Sequence, residues 1–161
     1  MKLLALDQAS NITGYAIFED DKLIKYDKIN LTKYDLADKL VLLRQNIDNL
    51  ICEWNIDEVV MEDIQLQGNV TNNVQTFKTL AEVFGVIYEL VNELKVKNSA
   101  VLASEWKAAL GIKGRDRAAQ KRAAQQYVID NYNIKPTQDE CDAICIGTYK
   151  IKRRPMFDWS E

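Results

Sequence analysis

Two short apolar runs each end in a carboxylate: Leu3-Leu4-Ala5-Leu6 before Asp7, and Val59-Val60-Met61 before Glu62. Such runs are too short for a buried helix and predict strands covered on both faces. A sheet of that kind needs helices against it, and the rest of the chain supplies them. Leu36, Leu40, Leu43, Ile47, Leu50, Ile51 and Trp54 recur at helical spacing, as do Leu80, Val83, Phe84, Ile87, Leu90, Val91 and Leu94. Shorter helices are expected over 105–110, 117–131 and, past the break at Pro136, 139–150. Between Asp7 and the first helix, turn residues at 10–14, a strand at 15–18, a polar tip at 19–22 and a strand over 23–30 predict a meander. A polar loop is expected around 68–73 and a last strand over 100–103. Three strands in meander, then strands alternating with helices, describe an α/β chain with a mixed sheet.

The 161 residues, 47% of them hydrophobic, are enough for one domain with a real core. That domain is expected over 1–151, followed by a flexible tail at 152–161 that contains Pro155. No apolar run nears the roughly 20 residues that span a bilayer, and no secretory layout precedes Asp7. The three cysteines (Cys52, Cys141 and Cys145) fit no zinc spacing, so a reducing cytoplasm is expected, with Cys141 and Cys145 as small buried helix residues. There is no histidine. Histidine bases and imidazole zinc sites are therefore excluded, and any catalysis must run on carboxylates, amines, hydroxyls or a metal.

The net charge of −3 hides a strong division. Residues 1–94 hold 8 Lys and Arg against 16 Asp and Glu, whereas residues 95–154 hold 13 against 6. A basic half of this kind points to a polyanion partner, with a salt-bridged surface as the plainer alternative. Lys107, Lys113, Arg115, Arg117, Lys121 and Arg122 are the candidate phosphate contacts.

Acids at strand ends sit where ligands of open α/β sheets collect, although a cap partner or a half-exposed strand end is the ordinary reading of each alone. A third acidic element is Asp139-Glu140-Cys141-Asp142. Positions three apart share a helix face, so Asp139 and Asp142 can present oxygens side by side while Glu140 projects elsewhere. Acids in a first turn also complement the helix dipole, which is the usual meaning of such a pair. Here the following residues (Ala143, Ile144, Ile146, Gly147) are apolar and dock the helix on the core. Four convergent carboxylates repel one another unless a cation joins them. Oxygen-only ligation selects Mg²⁺, with Mn²⁺ as substitute, and two ions about 4 Å apart would serve phosphodiester hydrolysis.

In their order these segments resemble RuvC-type Holliday junction resolvases. The stretch from Ala5-Leu6-Asp7 through Thr13-Gly14-Tyr15 is similar to the family's first strand and hairpin. Val59-Val60-Met61-Glu62 is similar to its glutamate strand, and Asn72 through Gly85 to the helix after it. Ser104-Glu105-Trp106-Lys107, Gly111 and the basic run to Lys121 resemble its lysine region, and Asp139-x-x-Asp142-Ala143 its final acidic pair. The likeness covers residues 1–150, and the small size resembles the bacteriophage branch. It implies a ribonuclease-H-like fold, a mixed five-stranded sheet flanked by helices. It further implies a homodimer that binds branched DNA and nicks two strands of like polarity at a four-way junction, leaving 5′-phosphate and 3′-hydroxyl ends. By position, Asp7, Glu62, Asp139 and Asp142 would hold metal. Lys107 would neutralise the scissile phosphate, and Arg117 or Lys121 would assist.

Three departures stand out. The family's Pro-Gly after the first aspartate is Gln8-Ala9, the aromatic three residues after the glutamate is Gln65, and the basic loop is shifted to Gly111-Ile112-Lys113-Gly114-Arg115. Gln65 is the candidate contact at the branch point, with weak discrimination between bases. The alternatives are a nuclease of the same fold acting on RNA–DNA hybrid or structured RNA, and a non-catalytic branched-DNA-binding module. An actin-like ATPase is disfavoured by the single glycine between Asp7 and Gly14. The stripe from Leu80 to Leu94 is expected as core, with part of a dimer seam as the alternative, and Phe77, Val86 and Tyr88 on its flanks are candidates for a second apolar face.

Overall fold

The computed structural model describes residues 1–65 and 70–154, with the side chains of 70–73 excepted. Its strands are β1 (Lys2–Asp7), β2 (Ile12–Glu19), β3 (Lys22–Asn30), β4 (Glu58–Glu62) and β5 (Lys97–Val101). Its helices are α1 (Leu36–Trp54), α2 (Val70–Glu93), α3 (Ala103–Ala109), α4 (Arg117–Tyr132) and α5 (Gln138–Lys152). The strands form one sheet in the order β3-β2-β1-β4-β5, antiparallel through the meander and parallel from β1 to β4 to β5. This is the expected mixed five-stranded sheet flanked by helices.

Period-2 alternation divides the strand residues between two cores. Leu4, Leu6, Tyr15, Ile17, Val59 and Met61 pack with α1 and α2 residues such as Leu43, Ile47, Val83 and Ile87. Leu3, Ala5, Ala16, Phe18 and Val60 pack with Trp106, Ala124, Val128 and the buried side of α5. Asp7 continues the Leu3–Ala5 series, Glu62 the Val60 series and Gly14 the Ala16–Phe18 series. All three therefore belong to the face that α3, α4 and α5 cover.

Several boundaries differ from expectation. The last strand is Lys97–Val101 rather than 100–103, and Ala103 already opens α3. As an edge strand, β5 leaves Lys97 and Ala100 exposed, so it lacks the apolar signature that marks its neighbour β4. The second strand starts at Ile12 rather than residue 15, because Gly14 already pairs with Asp7 across the ladder. Thr13 Oγ1 closes the intervening turn by donating to Ala9 O and accepting from Ala9 N. Of the loop expected around 68–73, residues 68 and 69 lie outside the described residues, and α2 has begun by Val70. Of the expected tail, α5 continues through Lys152, Arg154 Nη2 donates to Glu58 Oε1 at 3.4 Å, and residues 155–161 lie outside the described ones.

Candidate active site

Leu6 pairs with Met61 on the parallel β1–β4 ladder, so the next residues of both strands, Asp7 and Glu62, end side by side. Gln8, just past β1, reinforces this end. Its Nε2 donates to Glu62 O at 2.6 Å and its Oε1 accepts from Glu62 N at 3.2 Å. The third acidic element arrives from the opposite end of the chain. Helix α5 starts at Gln138, with Thr137 as N-cap and Thr137 Oγ1 donating to Glu140 Oε1 at 2.7 Å. Glu140 is thus spent on the cap and buried, and Asp139 and Asp142 are left for the cleft. Gly14 permits the approach. A Cβ there would stand 2.0 Å from the main-chain oxygen of Asp139, so only glycine lets α5 begin this close to β2.

Asp7, Glu62, Asp139 and Asp142 line one cleft of about 790 Å³. Lys107 of α3 lines it too, and its Nζ donates to Gln120 Oε1 at 3.2 Å. Arg117, Gln120, Lys121 and Ala124 of α4 complete that wall, at the three- and four-residue spacings that share a helix face. Arg122 falls off that face, and it and the loop residues Lys113 and Arg115 are exposed outside the cleft lining. Gln65 lies on the cleft wall and is exposed. Phe77, expected from the sequence on a second apolar face of this helix, lines this same cleft and keeps 37% of its surface exposed. Tyr88 is exposed, stacked on Phe84.

The electrostatics mark the acids as a set. Burial, then the charges of Asp142, Glu62 and Asp139, push the Asp7 carboxyl far above the usual range, while Lys107 pulls it down. Burial raises Glu62, opposed by its hydrogen bond from Trp106 and by Lys107. Asp142 is pushed up to about 6, by burial first and then Glu62, against Lys107 and a hydrogen bond from Gln138. Burial and mutual repulsion thus both disfavour the ionised acids, and a neighbouring cation would relieve both. Among the described residues no group of three or more acids or cysteines is gathered in an ion-holding arrangement. Two acids are instead held by neutral donors: Trp106 Nε1 donates to Glu62 Oε1 at 3.0 Å, and Gln138 Nε2 to Asp142 Oδ1 at 3.0 Å. The donor set still fits a hard divalent ion, since it is all carboxylate oxygen and its charges are unbalanced. Sulfur is no competitor: neither Cys141 nor Cys145 lines the cleft, and burial pushes the Cys141 thiol up to about 12.

Sequence reasoning missed the residues that grip these acids. Trp106 was visible only as part of the lysine segment, and Gln8 only as a departure in the turn. The signal for Gln8 was its position, one residue past a strand that ends in a carboxylate. The signal for Trp106 was weaker, since an indole in an apolar series usually reads as core.

The family model described as crossover junction endodeoxyribonuclease RuvC matches residues 3–149. The crossover junction endodeoxyribonuclease RuvC of Halothermothrix orenii is 23% identical over 96% of this chain and 97% of its own. That of Akkermansia muciniphila is 27% identical over 97% and 94%. Among solved structures, Thermus thermophilus RuvC in complex with Holliday junction substrate superposes with a TM-score of 0.73 at 13% identity, covering 92% of each chain. The fowlpox virus resolvase bound to substrate Holliday junction DNA gives 0.60 at 16% identity, covering 94% of this chain and 97% of the other. At these identities the solved structures speak for the shared fold. The family match runs through every element that carries a cleft acid, and the chain belongs to the crossover junction endodeoxyribonuclease RuvC family.

Proposed function

We propose that this protein is a structure-selective DNA endonuclease that resolves four-way junctions by divalent-metal-dependent phosphodiester hydrolysis, leaving 5′-phosphate and 3′-hydroxyl ends. The observation that carries this reading is the meeting of Asp7, Glu62, Asp139, Asp142 and Lys107 in one cleft of a RuvC-family chain. Two structural relatives bind Holliday junction DNA, which supports the same substrate class here.

In this reading the four acids hold Mg²⁺, or Mn²⁺ in its place, as a pair of ions. When bound, such ions supply an activated water and stabilise the leaving oxygen. The chain's own groups do the rest. Lys107, steadied by Gln120, places an ammonium against the scissile phosphate and balances some of the carboxylate charge when DNA is absent. Arg117 and Lys121, on one face of α4, fix the flanking phosphates as a planar fork and a point charge respectively. Lys113, Arg115 and Arg122 lie outside the cleft and would meet the duplex arms. Gln65 stands on the cleft wall and would meet bases at the branch point. Nicking two strands of like polarity needs two such sites, so a homodimer belongs to the proposal. So do the bacteriophage kinship and action in a bacterial cytoplasm.

The test is cleavage of a synthetic four-way junction beside an RNA–DNA hybrid of matched sequence, with sedimentation to count subunits. Junctions should be nicked in Mg²⁺ or Mn²⁺, poorly in Ca²⁺, and not in excess chelator. Asp7→Asn, Glu62→Gln and Asp142→Asn should each abolish nicking while retaining junction binding. Preferential cleavage of the hybrid, or full activity in chelator, would overturn the reading.

A further inference from the structure

Glu62 is the most tightly gripped acid of the cleft, and the grip comes from residues outside the acidic set. Gln8 holds its main chain through two hydrogen bonds, at N and at O. Trp106 holds its side chain through Nε1 to Oε1 at 3.0 Å. Trp106 is 1% exposed and packed in the core beneath α5, so its ring has little room to turn. The next residue, Lys107, stands with Nζ 5.4 Å from the Trp106 ring centre and lines the cleft. One short helix therefore delivers both a cation of the cleft wall and the donor that orients a cleft acid.

We propose that Trp106 is a positioning residue for Glu62, its indole N–H fixing Oε1 so that Oε2 is left for the divalent cation. The inference rests on Glu62 being a metal ligand. A buried indole normally finds some acceptor, so a hydrogen bond alone would mean only a satisfied core side chain. What distinguishes this one is its acceptor. A carboxylate on a three-torsion side chain loses rotamer freedom when it binds an ion, and a prior clamp removes most of that cost. Partners that orient ligands in this way commonly carry 10–100-fold in metal affinity.

The chain has three tryptophans, Trp54, Trp106 and Trp159, so indole N–H signals of ¹⁵N-labelled protein give a direct readout without DNA. Trp106→Phe identifies its signal by its loss. That signal should move on adding Mg²⁺ and in Glu62→Gln, while the Trp54 signal stays. Mn²⁺ binding to DNA-free Trp106→Phe should weaken by roughly tenfold or more, with the fold retained. An indole signal indifferent to both Mg²⁺ and Glu62→Gln overturns the proposal, as does a folded Trp106→Phe that binds Mn²⁺ like the wild type. If Trp106→Phe does not fold, Trp54→Phe and Trp159→Phe assign the signal by exclusion, and its response to Mg²⁺ and Glu62→Gln decides. A protein that passes these tests yet leaves junctions uncut refutes the proposed substrate alone. One that cuts junctions with a silent Trp106 signal refutes only the positioning role.

Discussion

Asp142 shows how a single residue registers the charge deficit of the cleft. Its carboxyl is raised to about 6, above the roughly 3.9 of an unfolded aspartate. Between those values the native protein keeps a proton that the unfolded chain has lost. Stability from this group therefore falls as pH rises through the window, and its full cost is felt above about 6. Asp20 and Glu89 act in the opposite sense, because the chain amine and Arg44 hold their carboxyls low. The informative quantity is thus the difference between wild type and Asp142→Asn. In chelator at about pH 7.5 the variant should melt several degrees higher, and the gap should shrink to about half near pH 5, closing only below about pH 4. Mg²⁺ should raise the wild-type midpoint at pH 7.5 and do little for the variant. If Asp142→Asn melts at or below the wild type at both pH values, Asp142 is not strained by its neighbours.

At the scale of elements, the site depends on how closely the start of α5 can sit against β2. Gly14 faces the Asp139 main chain, and any side chain there must displace the helix that carries Asp139 and Asp142. Gly147 serves the same end further along α5, where a Cβ would fall 2.2 Å from Phe18 Cε2. Gly14→Ala should therefore cost about 1–3 kcal/mol of stability, read by denaturant unfolding, and weaken Mn²⁺ binding as the two aspartates move away from Asp7. Wild-type Mn²⁺ affinity in a folded Gly14→Ala would show that the cleft tolerates a shifted α5. These contacts also mark where sequence reading stopped. The strand ends at Asp7 and Glu62 and the helix bounds of α1 were legible, because apolar periodicity reports burial directly. The edge strand β5 was not, since half-exposed positions carry no such period. Gly14 was visible as a turn glycine, but its need is set by Asp139, 125 residues away, which no local pattern records.

Over the whole molecule, charge and shape divide the labour. The acidic first half supplies Asp7 and Glu62, and the basic second half supplies α3 and α4 on the same face of the sheet. Junction affinity should consequently fall steeply with salt, and replacing Arg117 and Lys121 together by Gln should flatten the slope by about one unit for each lost contact. An unchanged slope would remove α4 from the DNA path. Selectivity between sequences is a separate matter. Gln65 offers hydrogen bonds to base edges but no π-face, whereas Phe77 brings an exposed ring to the same cleft. Stacking is worth roughly 1–3 kcal/mol per base and hardly distinguishes one base from another. Nicks mapped on mobile junctions should therefore scatter over many sequences. Phe77→Ala should weaken junction binding by about 1–3 kcal/mol without creating a consensus, and Gln65→Ala should leave the scatter as it was. Cuts confined to one short consensus that survives Gln65→Ala would mean that another residue reads sequence, and the assignment of substrate choice to branched shape would fail.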